Sequence, residues 1–377
     1  MRRTEPDGIA ALANDPQRAA DRMGETNAPV RIKNDADIVA VIPYLLGFQP
    51  ADSVVGMVFA DRKLITTVRF PIEMGDSPAA LAARLGVICR QFPEAGWILA
   101  GYSPDRRRAA QLIEHMTAGI GEQYVLESIY VNGGRYWSLS CKVPGCCPAE
   151  GRLIDTGASP VSARAVLAGM QVLESRAQLD ESIRPPRGWA ARAAINRMAD
   201  ARASICHLDL VQIEETFEKR VREGLADPAQ VSGDDAAMLA AMAYYPTARD
   251  RALSLLTRHD AERHVDLWQV VARLTPRDSQ PPVLGLLGLA AWVSGNGALQ
   301  VVCVERAEKV APNHPLVRLV ADINAAAAPP SVWDQLRIDL FGEEEDDERS
   351  ETPADAGGFS NGRQHDQIAD LGNDPPR

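Results

Sequence analysis

Apolar positions at helical spacing first occur at Ile38, Val41, Ile42 and Leu45. They follow Asn34-Asp35-Ala36-Asp37, whose short polar side chains suit a helix start, and precede Gly47, which suits a helix end. This predicts a helix that Pro43 kinks or shortens. Residues 54–60 and 64–70 are then rich in β-branched and apolar side chains and flank the polar turn Asp61-Arg62-Lys63, predicting an antiparallel hairpin. Ser77-Pro78 has the form of a cap followed by a first-turn proline, and Leu81, Leu85, Ile88, Cys89 and Phe92 share one face of the helix it opens. Residues 97–100 read as a short buried strand. Ser103-Pro104 repeats the cap form, with Ser103 as N-cap of a third helix marked by Leu112, Ile113 and Met116. Two more strands, residues 124–131 and 135–140, meet at Asn132-Gly133-Gly134.

Strands and helices mixed in this way predict an α/β domain with a mixed sheet over residues 30–185. Beyond Pro185-Pro186 the strand pattern gives way to helical spacings broken by proline or glycine, which predicts an all-α, tetratricopeptide-like helical module over 186–341. The tetratricopeptide pattern is carried by Leu287-Gly288, Gly295, Ala307 and Pro312 within residues 284–312. Trp292 stands next to Ala291, which occupies the repeat's usual aromatic position. Residues 1–29 lack apolar periodicity and read as a disordered leader. Residues 342–377 open with six consecutive acids and read as a disordered acidic tail.

At 377 residues and 46% hydrophobic, the chain has enough apolar material for two domains, which excludes collagen-like, wholly disordered and disulfide-scaffold classes. No stretch of about 20 apolar residues is present to cross a bilayer, and the charged N-terminal segment lacks a secretory h-region, so the expected location is cytoplasmic with no membrane partner. Six scattered cysteines fit a reducing compartment. The net charge of −11 sits mostly in residues 342–377, where eleven acids face three arginines. The nearly neutral remainder has no basic stripe, so nucleic acid is not an expected partner.

Residues 36–55 (ADIVAVIPYLLGFQPADSVV) resemble the signature opening of the bacterial domain-of-unknown-function family 4192. The resemblance continues through Gly101-Tyr102, residues 131–138 (VNGGRYWS), residues 146–151 (CCPAEG) and Ser159-Pro160-Val161. It resumes at residues 289–292 (LAAW) and 295–298 (GNGA). It covers most of residues 31–325 and implies no activity. Members of that family commonly have His at the position of Gln49.

Candidate chemistry lies in two places. The segment Gln49-Pro50-Ala51-Asp52-Ser53 connects a helix to a strand, where α/β proteins often hold ligand-binding residues, and Asp52 and Ser53 together with Tyr44, Arg135 and Trp137 are the ligand-binding candidates. Cys141, Cys146 and Cys147 stand on a loop shaped by Pro144 and Gly145. No C-x-x-C spacing occurs, and adjacent cysteines ordinarily point apart, so the thiols are expected to pack beneath the sheet with no metal and no cofactor. Gly101-Tyr102-Ser103-Pro104-Asp105 lacks the second glycine of a nucleophile elbow. Asp105-Arg106-Arg107-Arg108 reads as a solvated helix face. Walker, G-x-G-x-x-G, H-E-x-x-H and EF-hand motifs are absent, and the catalytic residues are unknown. The expected function is a binding or regulatory protein, with a small-molecule cleft in the α/β domain and a protein partner on the helical module. The alternative is an enzyme of unrecognised class with its site near Asp52, Ser53, Cys146 and Cys147.

Overall fold

The computed structural model describes residues 32, 34–143, 146–155, 159–167 and 172–342. The expected leader over 1–29 and the acidic run from Glu343 lie outside them.

Helix α1 (Asp35–Leu46) is capped by Asn34, whose side chain accepts from the Asp37 amide at 3.0 Å, and ends at Gly47 in the left-handed region. Pro43 lies within it, yet the helix continues to Leu46, because a proline in the last turn removes one hydrogen bond and leaves the earlier turns intact. Strands β1 (Ser53–Ala60) and β2 (Lys63–Pro71) form the predicted hairpin, with a register shift between Val58 and Phe59. Helix α2 (Pro78–Gln91) starts on its proline, and Ser77 makes no side-chain cap. β3 (Gly96–Tyr102), α3 (Arg106–Ile120) and β4 (Val125–Asn132) form a crossover between parallel strands. β5 (Arg135–Ser138) and the two-residue β6 (Arg152–Leu153) then pair antiparallel.

The sheet order is β2-β1-β3-β4-β5-β6, mixed because only β3 and β4 run parallel. Both faces are covered. Val54, Val58, Trp97, Leu99 and Tyr130 meet Leu81, Leu85, Ile88, Leu112 and Met116 of α2 and α3. On the other face, Val55, Met57, Ile98, Ala100 and Ile129 meet Ile38, Val41, Ile42 and Leu45 of α1. Two-sided burial explains why β1 and β3 read as apolar runs without alternation. Each large side chain fully buried there, Trp97 and Met57 among them, contributes roughly 1.5–3 kcal/mol relative to exposure.

The described residues after β6 hold helices. These are α4 (Pro160–Leu167), α5 (Arg176–Glu181), α6 (Gly188–Ile205), α7 (Leu210–Ala226), α8 (Gly233–Met242), α9 (Pro246–Ser254), α10 (Ala261–Leu274), α11 (Pro281–Val293), α12 (Gly297–Glu308), α13 (Pro315–Ala325) and α14 (Val332–Phe341). Their apolar side chains continue the core on the α1 face of the sheet without interruption, through Phe217 and Trp268, whose rings stack at 6.1 Å, to Trp333. α11 and α12 form a helical hairpin turned at Gly295. Glycine lets α13 approach α11 closely: a Cβ at Gly285 would lie 2.8 Å from the Leu316 side chain. Two ion pairs tie α5 to α12, Arg176–Glu305 at 2.8 Å and Arg306–Asp180 at 2.6 Å.

Candidate functional site

The ends of the central strands form a cleft of about 270 Å³, lined by the segment from Gln49 to Asp52, by Tyr102-Ser103-Pro104 after β3 and by Asn132-Gly133-Gly134 after β4. Ligands of α/β proteins commonly bind at such strand ends. Asp52 takes a φ of 40°, a left-handed value that costs a non-glycine residue roughly 1 kcal/mol or more. Its carboxylate accepts from the Ser103 hydroxyl at 3.1 Å, and Ser103 in turn accepts from the Asp105 amide at 3.1 Å. The predicted N-cap shifts: Asp105 caps α3, accepting from the amides of Arg107 and Arg108, and the Ser103 hydroxyl accepts from the Asp105 amide, before the helix begins at Arg106. The Tyr102 hydroxyl is buried with no hydrogen-bond partner among the described residues, and burial raises its pKa.

The other sequence candidates lie elsewhere. Ser53 is fully buried and pairs with Tyr102 across β1 and β3. Tyr44 is half-buried on α1 and lines neither this cleft nor the cavity described next. Arg135 and Trp137 hold a loop: Arg135 Nη1 donates to the Gly151 carbonyl at 3.0 Å and Trp137 Nε1 to that of Ala149 at 3.1 Å. The arginine run is not a free patch. Arg106 lies over Tyr130 and Trp137, with 5.5 and 5.7 Å to the ring centroids, and Arg108 pairs with Asp76 at 2.7 Å.

A larger cavity, about 420 Å³, lies between the outer edge of β2 and the helices. Residues 66–71 line one side and Trp292, Gln300, Glu305 and Asn324 the other. Three guanidiniums reach it, from Arg69, Arg84 and Arg176, against a single lining carboxylate, Glu305. Arg176 is paired with Glu305, and Arg84 donates to the carbonyls of Asn324 and Ala325 at 2.9 and 3.2 Å. Arg69 has no carboxylate partner among the described residues. Its Nη2 donates to the Ala51 carbonyl at 3.0 Å, while its Nε is buried and unpartnered. Burial, and then repulsion from Arg176, lower its pKa, while Glu73, Asp52 and Glu305 act the other way; an arginine remains charged at any physiological pH. The Thr67 hydroxyl, also lining the cavity, is buried without a partner as well. None of these residues stands out in the sequence, because positions 69, 84, 176 and 305 meet only through tertiary folding.

The cysteine loop differs from expectation. Cys141, Cys146 and Cys147 do not point apart; their sulfurs all lie within 4.8 Å of one another, half-buried. The divergence of neighbouring side chains belongs to extended chain, whereas Cys146 and Cys147 lie in a bend, with the Cys146 amide donating to the Val143 carbonyl at 3.2 Å. Burial, Cys141 and Cys146 raise the Cys147 thiol pKa, and Arg152 opposes them. Among the described residues, which include all six cysteines, no disulfide forms.

The fold and these sites define a protein with a six-stranded mixed sheet continued by a helical part. The chain belongs to the family described as domain of unknown function (DUF4192), whose model matches residues 36–331. No curated protein and no solved structure matches it.

Proposed function

We propose that this is a cytoplasmic binding or regulatory protein whose ligand is a small molecule bearing a carboxylate or phosphate, held in the cavity between β2 and the helices. The observation that carries this reading is Arg69: a guanidinium with a buried, unpartnered Nε and no carboxylate partner, facing a cavity where three arginines meet one acid. Arg69 is half-buried over the Phe48 ring, 6.0 Å from its centroid, and its guanidinium suits a carboxylate or phosphate through two parallel hydrogen bonds. Arg69 also holds the Ala51 carbonyl beside Asp52, so a ligand that draws Arg69 away would loosen the cleft loop, which gives the reading its regulatory side.

In the same reading, α11 and α12 are a tetratricopeptide-like unit, and the helical part makes a protein contact. Its exposed apolar side chains, Trp189 at 85% exposure among them, support that contact. A second reading places a polar ligand in the Asp52 cleft, supported by the orphaned Tyr102 hydroxyl. An enzyme combining the Asp52 and Cys146 loops has less support. The pairing of β5 with β4 and β6 puts Arg135 at the cleft end of β5, and the cysteine loop leaves from its other end.

The test is thermal stabilisation of the full chain by phosphate, phosphorylated metabolites and dicarboxylates at matched ionic strength. Saturable stabilisation by one of these anions, lost in Arg69→Met, supports the reading. A melting temperature indifferent to every anion, or stabilisation unchanged in Arg69→Met, refutes it.

A further inference from the structure

The three sulfurs of the cysteine loop form a constellation independent of the cavity and the cleft. We infer that Cys141, Cys146 and Cys147 bind one zinc ion through their thiolates and leave its fourth coordination position to solvent or an incoming molecule. The spacing supports this. Sulfurs bound tetrahedrally at about 2.3 Å from zinc sit roughly 3.8 Å apart, and these three lie within 4.8 Å of one another, so a contraction of no more than about 1 Å closes the set.

The loop is also built to hold its sulfurs in place. The Cys141 amide donates to Ser138 Oγ at 3.1 Å, and Arg152 Nη2 donates to the Cys146 carbonyl at 3.1 Å. Trp137 and Arg135 fix the carbonyls of Ala149 and Gly151. Gly151, at φ +79°, lies so close to the indole that a Cβ there would stand 2.5 Å from Trp137. The residues held at these points have already given up conformational freedom that ion binding would otherwise have to remove.

Charge supports the same assignment. Zinc binding displaces the thiol protons to solvent and leaves a ZnS₃ group of net −1. The Arg152 guanidinium, 3.9 Å from Cys146 Sγ, is placed to offset it. Among the described residues no histidine or carboxylate joins the cluster, so these residues supply three donors. Structural zinc sites are usually closed by four protein ligands, and an open position belongs to sites where zinc also takes solvent or substrate.

The experiment uses the full chain, purified with reductant, stripped with a chelator and titrated with zinc against a chromophoric competitor; a parallel titration uses cobalt(II). One equivalent of zinc per chain is expected, with a thiolate-to-cobalt charge-transfer band. Cys141→Ser and Cys146→Ser should each weaken binding by about 100-fold or more, while Cys206→Ser, at an exposed thiol elsewhere, leaves it unchanged. Arg152→Gln should weaken binding about tenfold, the size of an outer-sphere effect. Circular dichroism establishes that each variant is folded, and the wild-type stoichiometry stands without any variant. Absence of stoichiometric uptake by the reduced wild type, uptake retained in folded Cys141→Ser or Cys146→Ser, or recovery of two of the three thiols as a disulfide in protein kept from oxidants would each overturn the assignment.

Discussion

The Ser103 hydroxyl donates to the Asp52 carboxylate across 3.1 Å, joining the end of β3 to the loop before β1 and supporting a backbone at φ 40°. The bond and the strain oppose each other, so substitutions can separate them. Asp52→Ala keeps the left-handed backbone and removes the acceptor, and is expected to destabilise by about 1–2 kcal/mol. Asp52→Gly loses the acceptor but relieves the backbone, and should fall closer to wild type. Urea unfolding of both variants decides; equal losses would mean that the φ of Asp52 carries no cost.

Glu305 is the single carboxylate of the arginine cavity and neutralises Arg176 at 2.8 Å. Glu305→Gln should free that guanidinium and tighten anion binding about two- to fivefold, the scale of a partly exposed ion pair. Calorimetric titration with the anion that stabilises the wild type measures it. Weaker binding in Glu305→Gln would show that Glu305 positions Arg176 rather than competing for it.

His264 is buried on α10, where its Nε2–H donates to the Leu255 carbonyl at 3.3 Å, and burial lowers its pKa to about 4. The unfolded chain, with an ordinary histidine pKa near 6.5, binds a proton between those values that the folded chain does not. The stability is therefore fully present above pH 6.5 and is lost as pH falls toward 4, at about 1.4 kcal/mol per pH unit. Denaturant unfolding at pH 7, 6 and 5 should show this slope, and His264→Gln should flatten it.

Gly151→Ala meets two obstacles, a positive φ and a Cβ 2.5 Å from Trp137. The expected cost is about 2 kcal/mol or more, since backbone strain and overpacking add. Thermal unfolding measures it. An unchanged melting temperature would show that the indole moves aside freely.

The hairpin of β1 and β2, the helix α3 between two strands and the helical spacings beyond Pro185-Pro186 are legible because each rests on local periodicity or a nearby turn, whereas the helices after β6 already begin at Pro160. Asp37 and Asn34 announced the first helix correctly. Ser103 has the form of a cap, but Asp105 two residues later serves equally well, and the helix begins after Asp105. Asp52 lines the cleft, on a loop whose place between a helix and a strand is readable from the sequence pattern. Ser53, beside it, alternates inward and is fully buried. Arg135 and Trp137 were singled out for a ligand, and the backbone carbonyls they hold have no signature in the sequence. The arginine cavity was invisible for the same reason: its residues come from β2, α2, α5 and α12.

β2 is the last strand on its side of the sheet, and its outer rim faces the arginine cavity and the α11–α13 helices rather than open solvent. An uncovered strand rim is a template for pairing with another chain. The helical part covers the β2 rim, while both residues of β6 at the opposite edge are exposed. A fragment cut at Pro185 would bare the β2 rim, and is expected to aggregate unless the missing helices are supplied in trans.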